Sequence, residues 1–140
     1  MTIQLAEVRV IDYMVRQPQV LGLNDTLDLA EDIMTMGRIR HLPVLHEGEL
    51  VGIISQRDMF RSAAVTALGF AEDTQKALVK TIRIKEIMTE QVFTISADAT
   101  VKQAARMMFD KKIGGLPVVE GKKLIGIITE TDILRYVLDH

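Results

Sequence analysis

Two stretches of this chain repeat one another and decide its fold. Residues 50–58 read LVGIISQRD and residues 124–132 read LIGIITETD, and each stretch follows a Leu-Pro-Val triplet, at 42–44 and 116–118. Sliding the chain against itself by 74 residues aligns them without a gap, and 15 of the 50 pairs between residues 12–61 and 86–135 are identical. A period of this length indicates two copies of one supersecondary unit.

Composition and charge narrow the function classes. The chain has 140 residues, of which 48% are apolar and 26% are charged, as is typical of a soluble globular protein. The absence of cysteine excludes disulfides, thiolate metal sites and a cysteine nucleophile. A net charge of -2 without a basic block disfavours a general nucleic-acid binder. No apolar run approaches the ~20 residues that span a membrane, and Met1–Gln4 do not begin a secretory signal. We therefore expect a cytoplasmic protein with no membrane partner.

Each copy has the same order of predicted elements. An extended segment (20–21; 92–95) precedes a helix that begins at Thr26 or Thr100, and Thr100 with Gln103 forms a capping-box signature. Two strands follow in each copy, at 41–45 and 50–55 and at 116–119 and 124–129. Their turns contain Glu47-Gly48 and Glu120-Gly121. A second helix starts at Ser55 or Thr129, so each copy is predicted to be β-α-β-β-α.

The segment between the copies is predicted to be helical. Small and apolar residues continue the helix after Asp58 as far as Leu68, Gly69 is a plausible stop, and residues 71–78 indicate another short helix. This insertion could form a dimer contact or cover a sheet edge, and the sequence leaves both interpretations open.

A hydroxyl and a carboxylate recur one helical turn apart at the end of each hairpin. Ser55 with Asp58, and Thr129 with Asp132, are placed where a strand becomes a helix. One interpretation is a helix cap that satisfies free backbone N–H groups. The other is a nucleotide site, because a carboxylate can accept both hydroxyls of a ribose while the helix N-terminus favours phosphate. The two roles are compatible in one residue.

The residues before Pro43 and Pro117, which match in the two copies, differ between the copies. Guanidinium and imidazole groups suit phosphate, whereas glycine permits close approach of the backbone to a ligand. The alternatives are a solvated charged edge for the arginines and a partly buried structural role for the histidine. Copy one carries Arg38, Arg40 and His41; copy two carries Lys111, Lys112, Gly114 and Gly115.

The series resembles the tandem cystathionine-β-synthase (CBS) domain pair, or Bateman module. The resemblance rests on residues 40–44 with 50–58 and on their counterparts 114–118 with 124–132. Residues 11–14 and 85–89 resemble the segments that open each repeat. The implied domains are CBS repeat 1 at 8–61, a helical insertion at 62–84 and CBS repeat 2 at 85–139. The implied fold class is α/β (α+β), with two pseudo-symmetric β-α-β-β-α repeats packed through their sheets.

The resemblance implies a regulatory protein that is not an enzyme. Such pairs sense adenosyl ligands, such as AMP, ADP, ATP or S-adenosylmethionine, in clefts between the repeats, and commonly form homodimers. Since no enzyme, channel or transporter domain is attached, we expect a stand-alone pair that acts on a separate protein partner. No cofactor is expected beyond the regulatory ligand.

The resemblance also implies two unequal nucleotide sites. We expect Thr129 and Asp132, with Arg40 and His41 reaching across, to bind phosphate better than Ser55 and Asp58, which Arg57 and the Gly114-Gly115 backbone would support. Apolar residues such as Val20 and Val92 would flank the purine. The full predicted set is Val20, Arg40, His41, Pro43, Ser55, Arg57, Asp58, Val92, Gly114, Gly115, Pro117, Thr129, Thr131 and Asp132.

Other functions have weaker support. The rival interpretation is a dimerisation or scaffold module that binds no ligand, and a nucleic-acid-binding protein would need a basic patch that the charge disfavours. The three histidines, His41, His46 and His140, show no metal-ligand spacing, so no metal site is predicted. No nucleophile, base and orienting group can be assembled, so no catalytic residue is predicted.

Overall fold

The computed structural model describes residues 8–67, 76, 77 and 79–140, with the backbone alone at 62–67. It divides into two units. The second-repeat unit contains residues 8–18 and 92–140, and the first-repeat unit lies between residues 19 and 91. The units therefore do not coincide with the two sequence copies, because each copy's opening segment belongs to the unit of the other copy.

The helices and strands of the described residues follow one another in a repeating order. They are α1 (Val10–Tyr13), β1 (Val15–Arg16), β2 (Leu21–Gly22), α2 (Leu27–Gly37), β3 (His41–His46), β4 (Glu49–Ser55), α3 (Gln56–Ala67), a 3-10 turn (Ile84–Glu86), α4 (Val101–Lys111), β5 (Gly115–Glu120), β6 (Lys123–Thr129) and α5 (Glu130–Asp139). The predicted mixed α+β class, with two small sheets and helices, is confirmed.

Each unit is built on one antiparallel hairpin. In the first-repeat unit β3 pairs with β4, and β2 adds to β3 in parallel. In the second-repeat unit β5 pairs with β6, and β1 adds to β6 antiparallel. The first turn is Glu47-Gly48, where Gly48 has φ +81°. The second is Gly121-Lys122, one residue later than predicted, with φ +64° at Gly121. Such left-handed conformations favour glycine.

Each unit has its own core, in which one helix packs on the hairpin. In the first-repeat unit α2 contributes Leu27, Ala30 and Met34. In the second-repeat unit α4 contributes Ala104 and Met108 to the equivalent cluster. These apolar residues recur every three or four positions, which places them on one helical face. The hairpins supply the buried strand residues Leu42, Val44 and Ile54, and Leu116, Val118 and Ile128.

The helix starts agree with the predictions. At Thr100 the hydroxyl accepts from the Gln103 amide at 3.0 Å, and the Thr100 amide donates to the Gln103 side chain at 2.9 Å, so the predicted capping box is confirmed. Helices α2 and α4 are each followed by a C-cap residue in the left-handed conformation, Arg38 with φ +53° and Lys112 with φ +55°. Arg38 therefore has a structural role as a C-cap.

The opening segment of copy one completes the second-repeat unit. The Val10 amide donates to the Ala99 carbonyl at 2.8 Å, and the Val101 amide donates to the Val8 carbonyl at 2.9 Å. The Arg9 guanidinium donates to the Asp98 carbonyl at 2.9 Å. These bonds attach residues 8–10 beside the start of α4.

The residues before copy two attach to the first-repeat unit in the same way. The Ile84 amide donates to the Asp25 carbonyl at 2.8 Å, and the Leu27 amide donates to the Ile82 carbonyl at 2.9 Å. The Arg83 guanidinium donates to the Asn24 carbonyl at 2.6 Å. Arg83 stands 74 residues after Arg9, so the internal symmetry extends to these attachments.

Two predictions about local structure have mixed outcomes. Helix α3 continues to Ala67 as predicted, whereas the predicted continuation to Leu68, the stop at Gly69 and most of the predicted helix at 71–78 lie outside the described residues. The segment 92–95, predicted to be extended, pairs only at Ile95, which bridges Val118 in parallel. Among the helices that the structure describes, none is long and apolar enough to cross a membrane.

Candidate functional site

The carboxylate of Asp58 caps helix α3. Its Oδ2 accepts from the Ser55 amide at 2.8 Å and from the Ser55 hydroxyl at 3.0 Å. The Asp58 amide in turn donates to Ser55 Oγ at 3.2 Å. The predicted capping role is therefore present at this junction. Both bonds that the carboxylate accepts use one of its oxygens, Oδ2.

Asp132 occupies the same position at the start of α5 but is more buried. Its Oδ2 accepts from the Thr129 amide at 2.9 Å and from the Thr129 hydroxyl at 3.4 Å. Asp132 is only 3% exposed, and this burial raises the pKa of its carboxyl group above the ordinary range. The Thr129 amide and the Arg135 guanidinium act in the opposite direction on this pKa, because both stabilise the charged form.

The second oxygen distinguishes the two carboxylates. Asp132 Oδ1 pairs with the Arg135 guanidinium at 3.1 Å. Among the described residues, Asp58 Oδ1 accepts no hydrogen bond from the protein. An ionised carboxylate offers about four lone-pair positions. Capping therefore leaves lone pairs unused on both carboxylates, and their ligand role stays a prediction.

The predicted residues before the prolines lie next to these junctions, each in its own unit. His41 pairs with Ser55 across the first hairpin, and the Gln56 amide donates to the Arg40 carbonyl at 2.8 Å. Gly115 likewise pairs with Thr129 across the second hairpin. The predicted reach of Arg40 and His41 to Asp132, and of the Gly114-Gly115 backbone to Asp58, joins residues of different units and stays a prediction.

The remaining predicted residues differ in exposure. Pro43 and Pro117 are buried within their strands, whereas Arg57 and Thr131 are exposed in the first turns of α3 and α5. Val20 is 37% exposed beside β2. Half-buried Val92 and Gly114 complete the predicted set, and the Gly114 carbonyl accepts from the Glu130 amide at 3.0 Å.

Sequence reasoning missed the contacts that attach the opening segments. An ideal Cβ at Gly126 would lie 2.7 Å from Met14 Sδ, and one at Gly52 would lie 2.6 Å from Met88 Sδ. Each methionine therefore packs where a strand lacks a side chain. All four residues were already matched in the 74-residue alignment, which was the available signal. Nothing in the sequence indicated that each methionine would contact the glycine of the other copy.

Neither metal binding nor an unsatisfied polar group is evident in the described ranges. No group of three or more histidine, aspartate or glutamate side chains there could hold a metal ion. Every buried side-chain nitrogen or oxygen of the described residues has a hydrogen-bond partner.

Comparison with known proteins identifies the class of this chain. The CBS domain family matches residues 10–64 and 84–139. The chain therefore belongs to the CBS domain family and contains two such domains in tandem, as the resemblance implied.

Three solved structures illustrate the class. A putative acetoin utilization protein (AcuB) from Vibrio cholerae is 32% identical, with a TM-score of 0.80, over 94% of this chain and 91% of that chain. The protein CBSX2 in complex with AMP is 26% identical, with a TM-score of 0.76, over 94% and 97% of the two chains. The CBS domain pair of protein MJ0100, in complex with 5-methylthioadenosine and S-adenosyl-L-methionine, is 31% identical, with a TM-score of 0.73, over 94% and 97%.

Two of the curated relatives are much longer than this chain. It is 30% and 34% identical to two uncharacterized proteins of Methanocaldococcus jannaschii, and it spans 33% and 45% of their lengths. This chain therefore matches only a part of each of these two proteins.

Proposed function

We propose that this chain is a regulatory module that binds an adenosine-containing ligand, either AMP, ADP or ATP or else S-adenosylmethionine. Two similar CBS pairs have been solved with AMP and with S-adenosylmethionine and 5-methylthioadenosine. The observation that carries the proposal is the capped carboxylate at both strand-to-helix junctions, Asp58 and Asp132. Each retains lone pairs that can accept ribose hydroxyls.

The proposed roles of the other residues follow from their chemistry. Arg40, His41 and Arg57 are the cationic or hydrogen-bonding groups that suit phosphate. Val20 and Val92 offer partly exposed apolar surface to a purine ring. The remaining residues act through their positions. Ser55, Thr129 and Thr131 lie at the helix starts, and Gly114 and Gly115 allow close approach of the backbone to a ligand. Pro43 and Pro117 lie in the adjoining strands.

The two sites are proposed to be unequal, with Asp132 the stronger. Its carboxylate is fixed from both sides, by Thr129 on Oδ2 and by Arg135 on Oδ1. A group that is already oriented loses less conformational freedom when a ligand binds. Among the described residues, Asp58 has only its capping partner, Ser55, on Oδ2, so its second oxygen is less constrained.

We further propose that the module is a homodimer that regulates a separate protein in the cytoplasm. Helix α5 exposes Leu134 and Leu138, at 63% and 85%, and helix α3 exposes Phe60 at 74%. Leu134 and Phe109 also line an apolar groove of about 300 Å³ between α4 and α5. Exposed apolar surface of this kind is typical of interaction sites. Leu134→Glu should shift the mass measured by light scattering from dimer to monomer.

The proposed ligand binding is tested by titration calorimetry and thermal shift. The panel is AMP, ADP, ATP, S-adenosylmethionine and cyclic di-AMP, each added to wild type, Asp132→Asn and Asp58→Asn. A ligand at 100 times its dissociation constant stabilises the folded state by ~2.7 kcal/mol, which a melting curve resolves. We expect one compound to bind wild type, with a larger loss of affinity in Asp132→Asn than in Asp58→Asn.

Thr100→Ala is the matched control, because it removes a helix cap of the same kind at a helix with no proposed ligand role. It should lower stability without changing affinity. If no compound binds wild type, the chain is better described as a dimeric scaffold. If Asp58→Asn loses more affinity than Asp132→Asn, the assignment of the stronger site is wrong.

A further inference from the structure

Arg135 joins the candidate ribose-binding carboxylate to a distant part of the chain. One nitrogen, Nη2, donates to Asp132 Oδ1 at 3.1 Å and to the Tyr13 carbonyl at 2.8 Å. The guanidinium also lies over the Tyr13 ring, 5.5 Å from its centroid. Tyr13 is the last residue of α1, which precedes Arg135 by more than 120 residues.

The segment that Arg135 contacts is also attached to the second-repeat unit at other points. The Val10 and Ile11 amides donate to the Ala99 and Ala97 carbonyls at 2.8 and 3.1 Å, and β1 adds two residue pairs to the edge of β6. The Tyr13 hydroxyl donates to Asp139 Oδ2 at 2.8 Å, and this bond raises the pKa of the phenol. The Arg135 guanidinium joins this attachment to the Asp132 carboxylate.

The first-repeat unit lacks the equivalent connection. Arg61 stands 74 residues before Arg135 and follows Asp58 by the same three positions. In the described part of the chain no hydrogen bond or ion pair joins Arg61 to Asp58. The counterpart of Tyr13 is Ile87, which has neither a hydroxyl nor a ring. Arg61 therefore provides a control at the matching position.

We propose that Arg135 is a positioning residue that couples ligand occupancy at Asp132 to the attachment of the opening segment, residues 10–16. This coupling rests on the proposed ligand binding. A ligand whose hydroxyls donate to the Asp132 carboxylate favours the arrangement in which Arg135 holds Oδ1 in place. In the same arrangement Arg135 also holds the Tyr13 carbonyl. By linkage, attachment of the segment favours ligand binding by the same factor.

The charged and titratable groups around this connection come from α5, the residue after it and the opening segment. Asp132 and Arg135 lie on α5 and form the ion pair, while Tyr13 faces them from the opening segment. Asp139 and Tyr136, also on α5, face Tyr13, as does His140, which follows α5. Because Arg135 favours the charged carboxylate, Arg135→Gln should raise the pKa of Asp132 further, which a carboxyl-detected NMR titration measures.

The ligand-free test is amide hydrogen exchange on wild type, Arg135→Gln and Arg61→Gln. We expect the Val10, Ile11 and Met14 amides to exchange roughly 5-fold faster or more in Arg135→Gln, a factor within the usual range of coupling energies. Arg61→Gln should leave them unchanged. Equal exchange of these amides in the two variants would overturn the proposal.

The test with ligand uses saturating AMP, with binding confirmed by calorimetry for each protein. In wild type, AMP should slow exchange at Val10, Ile11 and Met14 about 5-fold, and in Arg135→Gln this slowing should disappear although AMP is bound. Bound AMP that slows exchange equally in both proteins refutes the coupling. Failure of AMP to bind wild type refutes the proposed function for AMP, which is a different result.

Discussion

A methyl group at Gly126 should disrupt the attachment of the opening segment. In Gly126→Ala the new Cβ would lie 2.7 Å from Met14 Sδ and 2.8 Å from the Val15 carbonyl oxygen. Favourable contacts of carbon lie at roughly 3.5 Å, so these atoms must separate by about 0.7 Å. A thioether can rotate away, but the Val15 carbonyl belongs to β1, which pairs with β6 at Val15 and Arg16 alone.

The size of the effect follows from this geometry. Overpacking a well-packed site costs roughly 1–3 kcal/mol, and Gly126→Ala should fall in the upper half of that range because one obstacle is backbone. For a chain of 140 residues, 1 kcal/mol corresponds to about 3–4 °C in melting temperature. Gly52→Ala should cost less, because its backbone neighbour, the Thr89 carbonyl, is 3.1 Å away.

Denaturant unfolding followed by circular dichroism measures these differences. Gly121→Asn is the control, since Gly121 has φ +64° with no neighbour within 4 Å and asparagine tolerates this conformation. It should change stability by less than about 0.5 kcal/mol. Met88→Ala should restore more of the stability that Gly52→Ala loses than Met14→Ala restores in Gly126→Ala. A Gly126→Ala protein as stable as Gly121→Asn would refute the reasoning.

Three further predictions concern the caps, the attachments and pH. Thr100→Ala should lower the free energy of unfolding by about 1 kcal/mol in a urea titration, and Thr26→Ala by less, since the Thr26 hydroxyl makes no capping bond. Arg83→Ala should speed exchange of the Ile84 amide more than that of amides in α4, because its bond to the Asn24 carbonyl holds that segment. Because burial raises the folded-state pKa of Asp132 above the unfolded value of 3.8, its charge lowers stability fully above the folded pKa. This penalty shrinks as the pH falls below that pKa and is gone below the unfolded value. Wild type should thus gain stability relative to Asp132→Asn as the pH is lowered from 7 towards 4, and a constant difference would contradict the assignment.

Much of the fold was predictable because the duplication doubles each local signal. The hairpins, the helix starts at Thr26, Thr100, Ser55 and Thr129, and the mixed class all follow from short-range patterns. The sequence did not predict that the opening segment of each copy packs in the unit of the other copy. Hydrophobic periodicity indicates which face of an element is buried, but not which copy covers that face. Met14 and Met88, and Gly52 and Gly126, match between the copies, but this match indicates the contacts only after the structure has shown them.

The sequence predicted the two capped carboxylates of the candidate site, but not the residues that contact them from elsewhere in the chain. The spacing of Ser55 with Asp58 and of Thr129 with Asp132 indicated both a cap and a carboxylate at a helix start. It could not indicate that Asp132 is buried and paired with Arg135, because the guanidinium is fixed by the Tyr13 carbonyl, which lies far away in sequence. The two copies match in sequence at both the aspartate and the arginine, yet their surroundings differ.

The most direct test of the account is a ¹⁵N NMR titration of the protein with AMP. Ligand bound at the capped carboxylates should shift the amide signals of Ser55, Asp58, Thr129 and Asp132, with those of Thr129 and Asp132 saturating first. Thr100 and Gln103, at the matched cap without a proposed ligand role, should remain unshifted. Saturable binding that leaves all four junction amides in place would contradict the central claim that these carboxylates bind the ligand.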